Sequence, residues 1–536
     1  MTKSPQNKLK VLVTDAIDAE GLKPLGRHPG IDLRFEVAPT PEKLEKALKG
    51  TGAWLVRSES KVTSAWIEKA QDLRLIGRAG VGVDNIDLDA ATLRGIAVIN
   101  APAANTIAAC EHAFGLMLAL SRNIAQADCD VKEGRWQRGK WMGSELLNKT
   151  LGIVGFGRIG REVAKRALAF GMKVVAFDPF VSKEQAEALG VSILSLKDLF
   201  GASDFITLHA PSSDKTRHLV DAESIRWIKP GARLINCARG DLIEEAALVA
   251  ALNDGRIKGA ALDVFEKEPL PAESLLRKTP GIILTPHLGA STHEAQNKVA
   301  LELSQGVIDF FERGIAVNAL NLPGFDMKTL QSLGGLLDLS ETLGRFIGQM
   351  IDSGLRELSC VFQGDFEPAQ RRPLAVAALK GCLSTMLAQN VNTINAPVLA
   401  NERGIKTSDS SNPLPLEGYK QLLTVTAMTD KGPTSVSGTL LSHGEPRIVR
   451  LGNLSVEVRP QGKMIVLTNK DTPGMIGRVG TLMGKAGLNI ADMRVGRVSA
   501  HKEAVMVLTV DAEISPAVRK QLEKIEGITA VRWVKL

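Results

Sequence analysis

Six residues, Gly155-Phe156-Gly157-Arg158-Ile159-Gly160, constrain this chain more than any other segment, because they directly follow a strand-like run at 151–154 and open a helix-like segment at 161–170. In that setting each glycine has its own task. Gly155 permits the tight turn, Gly157 lets the backbone approach a pyrophosphate, and Gly160 lets helix and strand pack closely, while the helix N-terminus offers N–H donors and a partial positive charge to the anion. Asp178 ends the next strand-like run, 18 residues beyond Gly160, where a carboxylate accepts hydrogen bonds from both ribose hydroxyls of an adenosine and disfavours a 2′-phosphate. Pro179 and Phe180 follow, rather than arginine, so the pattern expects NAD in preference to NADP.

The surroundings fit a doubly wound sheet. Strand-like runs at 151–154, 174–177, 205–208, 234–236, 260–263 and 282–285 alternate with helix-like segments. Upstream, runs at 11–14, 54–57, 73–77 and 97–100 alternate with helical patterning at 41–49 and 65–70, which reads as a smaller parallel βα unit joined to the larger one by a helix over 106–123. A further helix over 294–313 leads to a boundary punctuated by Pro323 and Gly324 after Asn318. Residues 325–455 read as mixed α/β, with helices at 330–350 and 373–388 and strands at 421–428 and 435–441. From 462 to 536 the pattern is strand, helix, strand, strand, helix, strand, the ferredoxin-like βαββαβ order. The expected class is therefore α/β, with two flavodoxin/Rossmann-like parallel-sheet domains, a mixed α/β domain and a ferredoxin-like domain. A length of 536 residues accommodates several such units.

Composition narrows the function. Hydrophobic residues at 44% and charged residues at 23% are ordinary globular values, and aromatics at 4% leave Val, Ile, Leu and Ala to build the cores. The net charge, 66 − 59 = +7, is spread along the chain without a basic run, so no nucleic-acid groove is expected. Five cysteines, odd in number and without CxxC spacing, argue against both a disulfide framework and a zinc site, so no metal is expected. The polar start at 1–10 and the lack of any long apolar stretch point to a cytoplasmic chain with no membrane partner.

Three polar segments fall just past the ends of later strand-like runs, where ligands sit in open α/β sheets. They span 236–241, 263–269 and 285–292, and they offer a cation, a carboxylate and an imidazole: Arg239, Glu268 and His287. Oxidising a secondary alcohol by hydride transfer needs a base for the hydroxyl proton and a cation to hold the substrate beside the nicotinamide. His287 suits the first task and Arg239, with its two-pronged donors, the second. Glu268 on the other ring nitrogen would fix the tautomer and favour the protonated ring.

The segment Arg78-Ala79-Gly80-Val81-Gly82-Val83-Asp84-Asn85, the glycine-rich turn with its helix, and the segments 236–248, 261–269 and 285–292 together resemble the D-2-hydroxyacid dehydrogenase family. Within it the resemblance is to the long-chain branch acting on 3-phospho-D-glycerate, and it covers essentially the whole chain. It implies NAD-dependent oxidation of 3-phospho-D-glycerate to 3-phosphohydroxypyruvate, the first step of L-serine biosynthesis, in a homo-oligomer, dimer or tetramer. The alternative is a dehydrogenase or reductase of another 2-hydroxy acid, glycerate/glyoxylate or 2-hydroxyglutarate. A non-catalytic NAD- and amino-acid-binding regulator is disfavoured, since a pure sensor needs no acid–base pair beside the nicotinamide.

The resemblance also implies an organisation and a set of contacts. Residues 1–100 with 294–320 would bind substrate, 101–293 would bind NAD, 325–455 would be the intervening domain and 462–536 an ACT regulatory domain. Arg239, Glu268 and His287 take the catalytic roles. Val81, Gly155, Gly157, Arg158, Ile159, Gly160, Asp178, Ala210, Pro211, Ala238, Asp263, His287, Gly289 and Ala290 meet the cofactor. Arg57 and Arg78 handle the phosphate, Asn105 lies near the substrate carboxylate, and Arg138 and Lys140 reach in from a neighbouring subunit. In the ACT segment, Asn469, Asp471 and Asn489 are the effector contacts, with L-serine the effector. Some relatives carry histidine or tyrosine where Asn469 stands, which keeps a purely dimerising module open. Lys380, Arg447 and Arg450 in the intervening segment offer charge for an allosteric anion, with surface or interface charge the stronger reading.

Overall fold

The computed structural model of the protein describes residues 8–313, 316, 319–322, 325, 327–414, 418–497 and 502–536. Asn318, Pro323 and Gly324 of the expected boundary lie outside the described residues.

The first sheet contains β1 (Leu9–Val13), β2 (Ile31–Phe35), β3 (Ala53–Val56), β4 (Leu75–Arg78) and β5 (Ala97–Asn100), all parallel in the order β2-β1-β3-β4-β5. Sequence reading missed β2, an edge strand that buries only Ile31 and so lacks an apolar run. The helix His293–Arg313 returns to this sheet, where Val299, Ala300, Leu303, Val307 and Phe310 share a core with Leu9, Val11 and Val13.

The second sheet contains β6 (Thr150–Val154), β7 (Lys173–Phe177), β8 (Ser192–Ile193), β9 (Phe205–Leu208), β10 (Ala232–Asn236), β11 (Ile257–Leu262) and β12 (Ile282–Leu284). Its order, β12-β11-β10-β9-β6-β7-β8, is all parallel, with the reversal of strand order falling between β6 and β9. Both faces are covered: Leu151, Ile153, Phe205 and Ile235 pack on one side, and Val154, Ile206, Leu208 and Leu234 on the other. Burial on both faces turns these strands into near-continuous apolar runs, which is why they were legible. The sheet has seven strands rather than the six expected, because the two-residue β8 is too short to leave a signal.

The third sheet is mixed: β13 (Leu355–Gly364), β14 (Lys406–Asn412), β15 (Gln421–Thr429), β16 (Gly432–Leu440), β17 (Pro446–Leu451) and β18 (Leu454–Val458) run β14-β13-β15-β16-β17-β18, with only the β13–β14 pairing parallel. The single helix expected over 330–350 is two, Met327–Leu333 and Leu336–Met350, broken where Gly334 takes φ +49°. The last sheet contains β19 (Lys463–Lys470), β20 (Ile490–Arg497), β21 (Glu503–Val510) and β22 (Ile528–Lys535), antiparallel in the order β20-β21-β19-β22. With the helices Met475–Lys485 and Pro516–Glu523 it is the expected βαββαβ fold. Its other face joins the preceding core, since Met464, Val466, Val505 and Val507 pack with Phe346 and Val436. Among the described residues no helix is long and apolar enough to cross a membrane.

Candidate active site

At the reversal point the glycine turn has the shape its sequence foretold. Gly155 takes φ +93°, and a Cβ there would lie 2.7 Å from the His209 carbonyl carbon. Gly160 is equally constrained, because a Cβ would collide with the Gly155 carbonyl oxygen. A Cβ on Gly157 would meet nothing within 4 Å, so this position is open to a ligand, as a pyrophosphate needs. Arg158 and Ile159 begin the helix Arg158–Ala169, whose N-terminal N–H groups face the same turn. Asp178 is bound to the turn itself: its carboxylate accepts the Phe156 N–H at 2.8 Å and the Phe180 N–H at 2.9 Å. This donor and acceptor set fits an adenine dinucleotide. Ala210 and Pro211 follow β9, the strand beside the turn, and the Pro211 carbonyl accepts the Thr216 hydroxyl at 2.7 Å.

Asp263 was expected at the end of a strand, yet β11 stops at Leu262 and the carboxylate organises the loop beyond β12. It is fully buried, and it accepts the Thr285 hydroxyl at 2.6 Å and the N–H groups of Leu288 and Gly289 at 2.7 and 2.8 Å. His112, unforeseen from sequence, lies 3.1 Å away. Burial would raise the Asp263 carboxyl, but hydrogen bonds from His112, Thr285 and Leu288 outweigh it and hold the group below the ordinary carboxylate range.

That loop presents His287, itself at φ +57°, with Nδ1 2.8 Å from Glu268 Oε2. Glu268 also accepts the Phe265 N–H at 3.1 Å. Burial pushes its carboxyl up, but the hydrogen bond and charge of His287 with the Phe265 N–H prevail, and the net shift is downward. The Nδ1 contact leaves Nε2 as the ring atom available to a ligand. Burial pushes the Cys237 thiol up, which disfavours the nucleophilic thiolate.

His287 and Glu268 line a cleft of about 780 Å³ between the first two sheets, together with Arg239, Arg78, Arg57 and Asn105. Val81 and Ala290 line it too. Arg239 stands after β10, with its Nη1 donating to the Ala238 carbonyl at 2.7 Å and its Nε 3.2 Å from Asp84. Arg78 ends β4. Burial first, and then the like charges of Arg239 and Arg57, push its guanidinium down to about 10, with Asp84 and Asp15 opposing. Its Nε and the Oδ1 of Asn105 are buried without a hydrogen-bond partner among the described residues. An orphaned guanidinium N–H beside clustered cations suits an anion, while the Asn105 oxygen, an acceptor, suits a donor group of the ligand. Sequence reading missed the residues that hold Arg57 in place. Asp15 accepts the Arg57 N–H at 2.5 Å, and Asn85 donates to the carbonyls of Arg57 and Ser60 at 2.8 and 2.6 Å.

Other expected residues lie elsewhere. Arg138 and Lys140 occupy a short turn, Arg138–Trp141, outside the lining of this cleft, and Lys140 pairs with Asp130 at 3.3 Å. In the last domain Asn469 is buried, with Oδ1 unpartnered among the described residues, and Asp471 pairs with Arg497 at 2.9 Å. Asn489 donates instead to Asp511 at 2.7 Å. Register explains the separation: Asn469 and Arg497 both pair with Ala504, whereas Ile490 pairs with Val510, which puts Asn489 roughly 20 Å along the sheet. Lys380 and Arg447 have carboxylate partners, Glu341 at 2.7 Å and Glu445 at 2.8 Å.

Residues 114–289 match the family described as D-isomer specific 2-hydroxyacid dehydrogenase, NAD binding domain. Fold and site thus define an NAD-dependent oxidoreductase of the D-2-hydroxyacid dehydrogenase class. D-lactate dehydrogenase from Aquifex aeolicus, solved with NAD and lactic acid, is 30% identical with a TM-score of 0.51, covering 57% of this chain and 96% of its own. The later domains narrow the class: residues 332–452 match the D-3-phosphoglycerate dehydrogenase intervening domain and 463–527 the ACT domain. D-3-phosphoglycerate dehydrogenases from Synechocystis sp. and Bacillus subtilis are 42% and 39% identical, each over 98% of this chain and over 95% and 99% of their own lengths. The chain belongs to the D-3-phosphoglycerate dehydrogenase family.

Proposed function

We propose that the chain oxidises the C2 hydroxyl of 3-phospho-D-glycerate to the ketone, giving 3-phosphohydroxypyruvate for serine synthesis. The observation that carries this reading is the His287–Glu268 pair at 2.8 Å facing a cleft that also holds Arg57, Arg78 and Arg239. NAD, when bound at the glycine turn, supplies the hydride acceptor. His287 takes the hydroxyl proton on Nε2, while Glu268 holds Nδ1–H and stabilises the imidazolium that forms. Arg239 holds the substrate carboxylate, with Asn105 beside it. Arg57 and Arg78 hold the phosphate, which a lactate-like substrate lacks and for which the unpartnered Arg78 Nε is a donor in waiting.

Residues 1–100 with 294–320 form the substrate-binding unit and 101–293 the NAD-binding unit in this reading, followed by the intervening domain at 325–455 and the ACT domain at 462–536. L-serine binds the ACT domain as an allosteric effector. The separation of Asn489 from Asn469 and Asp471 favours a site shared between two copies, hence a homo-oligomer, dimer or tetramer, in which Arg138 and Lys140 also serve a neighbour. The chain works in the cytoplasm.

The test is initial NADH formation at 340 nm with 3-phospho-D-glycerate, D-lactate, D-glycerate and D-2-hydroxyglutarate, each with and without L-serine. Preference for the phosphorylated acid is expected, lost in Arg57→Ala. Turnover of an unphosphorylated acid alone refutes the substrate assignment and leaves the dehydrogenase chemistry standing.

A further inference from the structure

Arg239 already has a carboxylate. Its Nε lies 3.2 Å from Asp84 Oδ2, and Asp84 stands on the loop after β4, across the cleft from the end of β10. The loop is shaped for this contact: a Cβ on Gly82 would collide with Arg239 Nη2 and meet Asp84 Oδ2 at 2.8 Å.

We infer that Asp84 is a placeholder for the substrate carboxylate, pairing with Arg239 while the cleft holds no anion and releasing the guanidinium when the substrate arrives. It is a positioning residue that sets anion affinity, and the inference rests on the assignment of Arg239 to the substrate carboxylate. Three features carry it. Arg57, Arg78 and Arg239 share one cleft, and the Asp84 and Asp15 charges both act on Arg78 against the mutual repulsion of the three cations. Asp15 is committed, since it is buried and accepts the N–H groups of Arg57 and Ser60 at 2.5 and 3.1 Å as well as the Ser60 hydroxyl. Asp84 is not: its side chain is 69% exposed, and an ion pair so placed is screened by water and readily exchanged. The exchange replaces one carboxylate on a guanidinium by another, so Arg239 never stands unpaired.

Titration calorimetry of 3-phospho-D-glycerate into the NADH-loaded protein tests this with four variants: Asp84→Asn, Glu59→Gln, Arg239→Gln and Asp84→Asn combined with Arg239→Gln. Glu59 lines the same cleft, so its substitution removes the same unit of charge while leaving the Asp84 contact in place. Asp84→Asn is expected to bind about two- to fivefold tighter, the size of one exposed ion pair. The gain should be smaller for Glu59→Gln and absent in the Arg239→Gln background. Weaker or unchanged binding by Asp84→Asn, or an equal gain from Glu59→Gln, overturns the placeholder. Undiminished binding by Arg239→Gln overturns the assignment of Arg239 instead, which keeps the two failures apart. NADH affinity reports whether the cofactor half is intact, and if Asp84→Asn loses it, Asp84→Ser in the same titration decides.

Discussion

Glu268→Gln removes the charge behind His287 while keeping an acceptor for its ring. The amide has one oxygen, which can take the His287 Nδ1–H now held by Oε2 at 2.8 Å and so keep the ring oriented, while its NH2 replaces the Oε1 that accepts the Phe265 N–H at 3.1 Å, so one backbone hydrogen bond goes with the charge. Two unit charges 2.8 Å apart attract by about 1.5–3 kcal/mol at an effective dielectric of roughly 80 to 40. The side chains are 51% and 38% exposed, so screening brings the expected loss to about 1–2 kcal/mol. That loss falls on the transition state, where the imidazolium forms, and corresponds to about a 5–30-fold drop in kcat/KM. The assay is steady-state NADH formation with 3-phospho-D-glycerate, with NAD affinity measured alongside. A kcat/KM within twofold of the parent, or a defect confined to NAD binding, would refute the coupling of Glu268 to His287. There is a stability signature too. Because the folded carboxyl titrates below its unfolded value, it stabilises the fold above the unfolded pKa, and that contribution fades as pH falls through the folded one. Glu268→Gln should therefore lose part of its acid sensitivity between those two values, as followed by thermal unfolding against pH.

Arg78→Met should raise KM for 3-phospho-D-glycerate about 10–100-fold by removing a charged donor to phosphate, and affinity for an unphosphorylated acid should fall far less. Equal losses for both acids would detach Arg78 from the phosphate. Gly155→Ala must place a methyl 2.7 Å from the His209 carbonyl carbon at φ +93°, so NAD binding measured by NADH fluorescence should weaken at least tenfold, and thermal stability should drop by about 1–3 kcal/mol. Burial pushes the His209 imidazole down to about 4, so below the unfolded value near 6.5 the unfolded chain takes up a proton that the folded one refuses. That contribution to stability is complete above about pH 6.5 and falls by up to about 1.4 kcal/mol per pH unit towards pH 4. His209→Gln, which can keep the contact to Thr207, should show a shallower decline in urea unfolding over that window, and an unchanged slope would exclude His209 as its source.

In the first two sheets legibility in the sequence followed burial, while in the third the alternating strands β13, β17 and β18 went unread. Strands covered on both faces, such as β6, β9 and β10, were readable as apolar runs, whereas β2 buries one residue and β14 none, and neither left a pattern. The helix break at Gly334 was hidden because periodicity continues across it. In the site, the glycine turn and Asp178 were legible because their work is local: a turn, a helix start and a carboxylate one strand away. Asp84, Asp15, Asn85 and His112 were not, because each acts through a partner distant in the chain, and charged or amide residues on loops carry no periodicity to mark them.

The sequence by itself determined the order of the strands buried on both faces of the second sheet, the glycine-rich turn with its following carboxylate, and the residue types, an imidazole, a carboxylate and a guanidinium, that the strand ends offer for chemistry. These depend on backbone freedom at particular glycines and on side-chain type, both of which are properties of short segments. Tertiary structure alone decided that Arg57 and Arg78, from the first sheet, face Arg239, Glu268 and His287 from the second across one cleft. It also decided that Asp84 reaches over to Arg239, and that Asn489 lies far along its sheet from Asn469 and Asp471. Charges interact by distance in space, and distance in space between loops of two sheets, or between two ends of one sheet, is set by packing and register rather than by separation along the chain.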